Sequence, residues 1–421
     1  MTNNYNLKPL TQVCEVLSGG TPKTTVPEFW NGNIPWASVK DFNIDSRWFS
    51  KTEKSISQLG LDSCSSVLLE PGDLVISARG TVGALGQCKM RTSFNQSNYG
   101  LRAKNDLSTN DYLYYALSYA KQALLSDTHG GMFDTITRDT LDRLLIPIPT
   151  LKVQEKIAEI LGSLDMKIAI NNALSKTLED IAQTIFKSWF IDFDPVKAKM
   201  AREKPAGMDA ATAALFPDSM EESELGMIPK GWMVSNLESI SSVKFGAPFA
   251  SKLFNTLKVG QPLIRIRDLK KQSISTWSPE NHPKGFLVSG GELLVGMDGE
   301  FNPTIWFGEV ALVNQRICKI EPKDFVSNFF LYFTLVPIMR KIEHGSTGST
   351  VIHLGKTDID AIKISVPSSE LLSAFKSLVE PLLKQMVSLN VQVRVLQEAR
   401  DALLPRLISG ELQIPEDMLA S

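Results

Sequence analysis

The sequence predicts an α+β protein: two similar globular domains of mixed helix and strand, separated by two long antiparallel coiled-coil helices with pseudo-two-fold symmetry. Three observations carry this expectation. Residues 151–190 hold apolar side chains at helical spacing, residues 371–404 hold a second such stripe, and the stretches before the two stripes match each other piece by piece.

Composition sets the bounds. A chain of 421 residues accommodates two to four domains, and 43% apolar with 21% charged residues is ordinary for a soluble protein. No apolar run reaches the ~20 residues of a membrane span. The opening MTNNYNLKPL lacks the basic end and apolar centre of a signal peptide, so a cytoplasmic protein is expected. Cys14, Cys64, Cys88 and Cys318 are scattered without a CxxC pair and read as reduced thiols rather than disulfides or a zinc site. At a net charge of −2 there is no global basic field, so any nucleic-acid binding must come from local patches or a basic partner.

The first domain, residues 1–150, is read from short β-like runs between glycine turns, and the second, residues 231–367, from the same features. IPWASVKDF (34–42) answers QPLIRIRDL (261–269), placing Pro35 with Pro262, Lys40 with Arg267 and Asp41 with Asp268. EPGDLVISARG (70–80) answers SGGELLVGMDG (289–299), Asn95-Gln96 answers Asn314-Gln315, and YLYYAL (112–117) loosely answers FLYFTL (330–335). Segments 128–149 and 343–367 open on His129-Gly130 and His344-Gly345, and each ends in a strand and a proline before a long helix.

Residues 151–193 make the first spacer helix. Ile157, Ile160, Leu161, Leu164, Ile168, Leu174, Leu178, Ile181, Ile185 and Trp189 form one stripe over about ten turns. The opposite face is too polar for a membrane, and the helix is too long for a domain core, so it needs a second long helix. Residues 368–408 supply it. Leu372, Val379, Met386 and Val393 form one seven-residue row, and Phe375, Leu382, Leu389, Leu396 and Leu403 another, as in a coiled-coil seam. Asn171 is the polar member of the facing row. It either fixes register inside the seam or sits at its wet edge. Pro381 predicts a bend or two shorter helices in tandem. Residues 194–230, with an Ala-rich patch and the acidic run PDSMEESELG, read as a surface linker, and 409–421 as a C-terminal tail. On this plan the rod is a spacer holding two inverted heads.

Two similar but non-identical heads suit a bipartite ligand, and duplex DNA, repeating every ~34 Å, offers separated half-sites. Polar side chains differ between the copies: Arg79 lies where the other has Asp298, Trp36 opposite Leu263, Arg138 near Lys356. Such exchanges suit modules that read different bases, because Arg prefers guanine edges and carboxylates accept from cytosine; they also suit loops free to drift. Catalytic patterns are lacking. GSTGSTVIHLGKT has Thr350 where a phosphate-binding loop needs glycine, and FGAPF (245–249) and NPTIW (302–306) do not complete adenine-methyltransferase motifs. His129, His282, His344 and His353 show no ligand spacing, so no metal is expected. Gly19-Gly20-Thr21-Pro22-Lys23 reads either as a phosphate cradle or as a plain turn.

Three stretches together resemble the specificity (S) subunit of type I restriction-modification enzymes: SGGTPKTTVPEFWNGNIPWASVKDF near the start, IFKSWFIDFDPVKAK with TAALFPDSMEESELGMIPKGW at the first helix end, and ARDALLPRLISGEL at 399–412. The resemblance covers nearly the whole chain. It implies two target recognition domains (1–150 and 231–367) reading the halves of a bipartite double-stranded DNA site. It also implies helices that set the spacing and dock two methyltransferase (modification) subunits, with restriction subunits joining. The chain itself is then non-catalytic, and S-adenosylmethionine, ATP and Mg²⁺ belong to the partners. On this reading DNA contacts fall to Lys23, Trp36, Lys40, Arg79, Thr81, His129 and Arg138 in the first head. In the second they fall to Lys244, Arg265, Arg267, Asp298, His344, Ser346, Thr347 and Lys356. Trp189, Phe190 and Phe193 face a partner or pack at the helix end. Two rival readings are a scaffold with duplicated protein-binding heads, and the recognition part of a self-sufficient methyltransferase-nuclease.

Overall fold

The computed structural model describes residues 5–42, 46–126, 135–299, 301–345 and 354–419. The chain divides into two compact units, residues 1–170 with 394–421, and residues 171–393. Each therefore combines one head with parts of both long helices.

In the first unit, strand Asn6–Pro9 pairs antiparallel with Leu145–Ile148 and closes the head at its root. A five-stranded sheet runs in the order Cys14–Ser18, Asn98–Ala103, Leu74–Ser77, Leu85–Cys88, Trp48–Phe49, and Trp30–Ala37 lies between Lys54–Ile56 and Ser93–Phe94 in a smaller one. Leu74–Ser77 is buried throughout, as expected of a central strand covered on both faces. Helix Asn110–Ser126 lays Tyr112, Leu113, Ala116 and Leu117 into a core with Leu74 and Leu101 of the sheet. Ile157 and Leu161 of the first long helix join it, as do Leu404, Leu407 and Ile408 of the second.

A buried polar network completes this unit. Arg47 Nε donates to Gln87 Oε1 (2.6 Å), its Nη1 donates to the Tyr115 hydroxyl (3.2 Å), and its Nη2 pairs with Asp111. Tyr115 in turn donates to Asp165 Oδ2 (2.6 Å), whose Oδ1 accepts from Arg400 (2.8 Å). Gly162 lies beside it, and a Cβ there would only touch Arg47 Nη1 at 3.4 Å and the Tyr115 hydroxyl at 3.7 Å.

The second unit repeats the plan. Ser241–Phe245, Ile317–Pro322, Leu293–Gly296 and Pro303–Ile305 form one sheet in that order, and Met233–Asn236 pairs with Lys363–Val366 at the root. The registers correspond: Leu74 faces Leu101 in the first unit, and Leu293 faces Ile320 in the second. Parallel pairs correspond too, Ala37 with Phe94 and Ile264 with Val313.

Each long helix has 40 residues, Leu151–Phe190 and Ser369–Ile408. Within the second unit, Asn171 donates to Gln392 (3.2 Å), Ser175 accepts from Asn390 (3.2 Å), and Phe186, Trp189 and Phe190 surround Phe375. Partners climb one helix as they descend the other, so the pair is antiparallel. Asn171 is 1% exposed, which places it inside the seam. The second helix is not split in two at Pro381. This proline lies on the exposed face, so the Ser377 carbonyl it leaves without a helical partner is open to water. Leu174 and Ile181, expected in the stripe, are instead exposed.

The surface linker expected at 194–230 is corrected: it folds as helices Asp194–Met200 and Ala210–Ala214 and a hairpin of Met220–Ser223 with Gly226–Pro229. Val196, Phe216 and Ile228 enter the core of the second unit. They are too far apart to make a periodic pattern. The tail also packs, with Ile414 buried in the first unit's core. The cysteines are free; burial pushes the thiols of Cys14, Cys88 and Cys318 up to about 12.

Candidate nucleic-acid interface

Backbone hydrogen bonds tie five segments of the first head into one surface. Gly20 N–H donates to Phe94 O (2.9 Å), Asn95 N–H to Ala37 O (3.1 Å), Ala78 N–H to Ser97 O (2.9 Å) and Ile136 N–H to Ala78 O (2.9 Å). Arg138 then reaches back to Ser18 Oγ (3.2 Å). The second head builds the same assembly: Ala247 N–H to Val313 O (3.0 Å), Asn314 N–H to Ile264 O (3.1 Å), Met297 N–H to Arg316 O (2.9 Å) and Leu354 N–H to Met297 O (2.8 Å). Gly19 and Gly246 hold equivalent places, and a Cβ on either would lie 2.1 Å from the carbonyl oxygen of Asn95 or Asn314. This close approach, together with the Gly20 amide already bonded to Phe94, makes the glycine pair a packing device rather than a phosphate cradle.

The repeated polar residues prove structural. Asp41 accepts from Ser38 N–H (2.7 Å) and Asp268 from Arg265 N–H (2.9 Å), so each reaches back from within its short helix, Val39–Phe42 or Ile266–Leu269, to cap that helix's start. Several of the charged and polar residues around them point outward. Lys23, Lys40, Arg79, Thr81 and Arg138 are exposed in the first head, with Arg79 and Thr81 on the turn after Leu74–Ser77. Arg267 and Lys356 are exposed in the second.

Several expectations need correction. Trp36 is 7% exposed, its Nε1 donates to Gly20 O (2.9 Å), and Leu263 opposite is also buried; this exchange repacks a core and reads no base. Lys244 is paired with Glu321 (2.7 Å), whose carboxyl the Lys244 and then the Lys319 bonds hold below its usual range. Arg265 is half-buried, its guanidinium 5.6 Å from the Phe254 ring. Asp298 pairs with Arg316 (3.0 Å), so a carboxylate and a guanidinium stand together where the first head has Arg79 and Ser97. Arg316 was missed by sequence reasoning, although it directly follows the repeated Asn314-Gln315. Trp189 and Phe190 are buried among Phe186, Phe330 and Phe375, which leaves no ring face for a partner; Phe193 is half-buried with its ring edge-on to Trp232. His129, Ser346 and Thr347 and the side chain of His344 lie outside the described residues.

Among the described residues no three His, Cys, Asp or Glu are grouped to hold a metal, and no helix is long and apolar enough to cross a membrane. The arrangement defines a protein with a duplicated surface of rigidly joined loops, each copy presenting its own set of polar side chains.

The family profile of the type I restriction modification DNA specificity domain matches residues 3–180 and 229–371. The specificity subunit of the MjaIX type I restriction enzyme of Methanocaldococcus jannaschii is 28% identical over 98% of this chain and 94% of its own. That of the Haemophilus influenzae HindI enzyme is 28% identical over 69% of this chain and 73% of its own. The crystal structure of a type I restriction-modification S subunit from M. genitalium shares the fold, with a TM-score of 0.58, 16% identity and 96% of both chains covered. The chain belongs to the type I restriction modification DNA specificity family. It is a specificity subunit, the non-catalytic recognition component of such a system.

Proposed function

We propose that each head reads one half of a bipartite sequence in double-stranded DNA. Two modification subunits docked on the long helices then methylate adenines at that sequence, and restriction subunits join the larger complex. S-adenosylmethionine, ATP and Mg²⁺ belong to those partners. The observation that carries the reading is the duplicated loop surface, with the same backbone bonds in both copies and different side chains facing out. Phosphate contacts would come from Lys23, Lys40, Arg267 and Lys356, and base contacts from Arg79, Arg138 and the Asp298–Arg316 pair. Apolar side chains left exposed on the long helices support docking: Met166, Ile170 and Val395 in the first unit, Leu174, Ile181 and Val391 in the second.

The test is to map methylated adenines in DNA modified by the complex of this chain with its modification subunit. Two short specific blocks separated by an unspecified gap of fixed length are expected. One continuous motif, or methylation without sequence preference, contradicts the proposal.

A further inference from the structure

In the second head the loop from Ser251 to Gly260 carries an apolar tip. Leu257 is 82% exposed, with Leu253 and Val259 exposed beside it. The tip is held rigidly. The Asn255 side chain accepts from Val259 N–H (3.0 Å) and donates to Val259 O (2.9 Å), while Asn255 and Trp277 exchange backbone bonds of 3.0 and 2.9 Å. Lys258 is left-handed (φ 60°), its ammonium 5.6 Å from the Trp277 ring. Gly260, at φ +91°, has no room for a Cβ, which would lie 2.2 Å from Ser278 O. Phe254, three residues before the tip, packs against Ala247, Phe249 and Leu263 and so anchors the loop to the reading surface.

The first head explains why Leu257 is bare. The spans Gly19 to Pro35 and Gly246 to Pro262 are equal in length, and Asn31 repeats the left-handed turn of Lys258 at φ 60°. Leu257 thus corresponds to Trp30, whose ring lies edge-on against Trp36 at 5.2 Å. In the second head Leu263 replaces Trp36, so the ring against which Trp30 lies has no counterpart there. This stretch is basic: residues 250–272 hold Lys252, Lys258, Arg265, Arg267, Lys270 and Lys271 against Asp268, which is buried as a helix cap, while Glu280 accepts from Ala250 N–H (2.7 Å) at its start. The corresponding residues 23–45 hold Lys23 and Lys40 against Glu28, Asp41 and Asp45.

We propose that Leu257 is a specificity residue. The basic loop lies along the phosphates of the second half-site, and the leucine packs against the 5-methyl group of a thymine in the major groove. This rests on the DNA-reading function proposed above. It is tested with the assembled complex and duplexes carrying the mapped sequence, in which each thymine of the half-site read by the second head is replaced singly by deoxyuridine. Wild type should lose binding by about four-fold at one position, the worth of one buried methyl group, and Leu257→Ala should bind the thymine and uracil duplexes at that position equally. If Leu257→Ala keeps both the affinity and the uracil sensitivity of wild type, the proposal is overturned while the DNA-reading function stands. A loss on Leu257→Ala that no uracil reproduces also overturns it, and points to a wedge between base steps instead. A wild-type complex that recognises no defined sequence overturns both.

Discussion

Phe375→Ala is expected to destabilise the second unit by about 3–5 kcal/mol, the usual cost of emptying a phenylalanine-sized volume from a packed core. The ring is fully buried, with Phe190 at 5.0 Å, Trp189 at 5.9 Å and Phe186 at 6.2 Å on the first long helix, and Phe330 at 6.4 Å on a helix of the head. It joins the helix pair to the head, and three of the neighbouring rings sit close together at the end of one long helix, whose backbone cannot collapse inward locally. Chemical denaturation monitored by tryptophan fluorescence should show the transition of Trp189 and Trp232 moving to lower denaturant. Leu378→Ala, on the exposed face of the same helix, should stay within about 0.5 kcal/mol of wild type. Equal effects of the two would mean that Phe375 is not enclosed as described.

Asp165→Ala is expected to cost the first unit about 3 kcal/mol. The carboxylate accepts from Tyr115 and from Arg400, and its loss leaves the buried phenol without its acceptor and the partly buried guanidinium with Asp401 alone. Burial, with the nearby Asp165 charge second, already raises the Tyr115 hydroxyl well above its ordinary range, so the phenol stays a donor and needs an acceptor. A double-mutant cycle with Arg400→Met separates the pair from the packing. A coupling of 1–3 kcal/mol is expected in equilibrium denaturation, and a coupling near zero would show that the two side chains act independently. Because the network also holds Arg47, Asp111 and Gln87 of the head, the loss should extend beyond the helices.

The long helices were legible because their apolar residues recur every three or four positions over ten turns, and the observed bounds Leu151–Phe190 match the stripe. The repeat made the correspondence of the two heads legible: Pro35 aligns with Pro262 and Asn95 with Asn314, and the parallel pairs beside them share one register. What stayed hidden depends on partners remote in sequence. Trp189 and Phe190 look like an exposed aromatic cluster until Phe330 and Phe375, far along the chain, are packed on them. Trp36 carries a polar tip that suits DNA, yet its Nε1–H is satisfied by Gly20 O, and only the fold brings the two together. Asp298 was legible as a difference between copies, but not as half of an ion pair, because Arg316 lies on a neighbouring strand connection. Leu174 and Ile181 share the helical period of the core residues, and periodicity alone does not separate a seam from the flank beside it.

The central claim is that the two heads read independently. It is tested most directly by mapping methylated adenines with complexes carrying Arg79→Ala or Arg316→Ala and comparing base preference at every position of the recognised sequence. Arg79→Ala should relax or alter one block and leave the other as in wild type. Arg316→Ala should affect only the opposite block. If either substitution changes both blocks together, the heads do not act as separate readers and the account is contradicted.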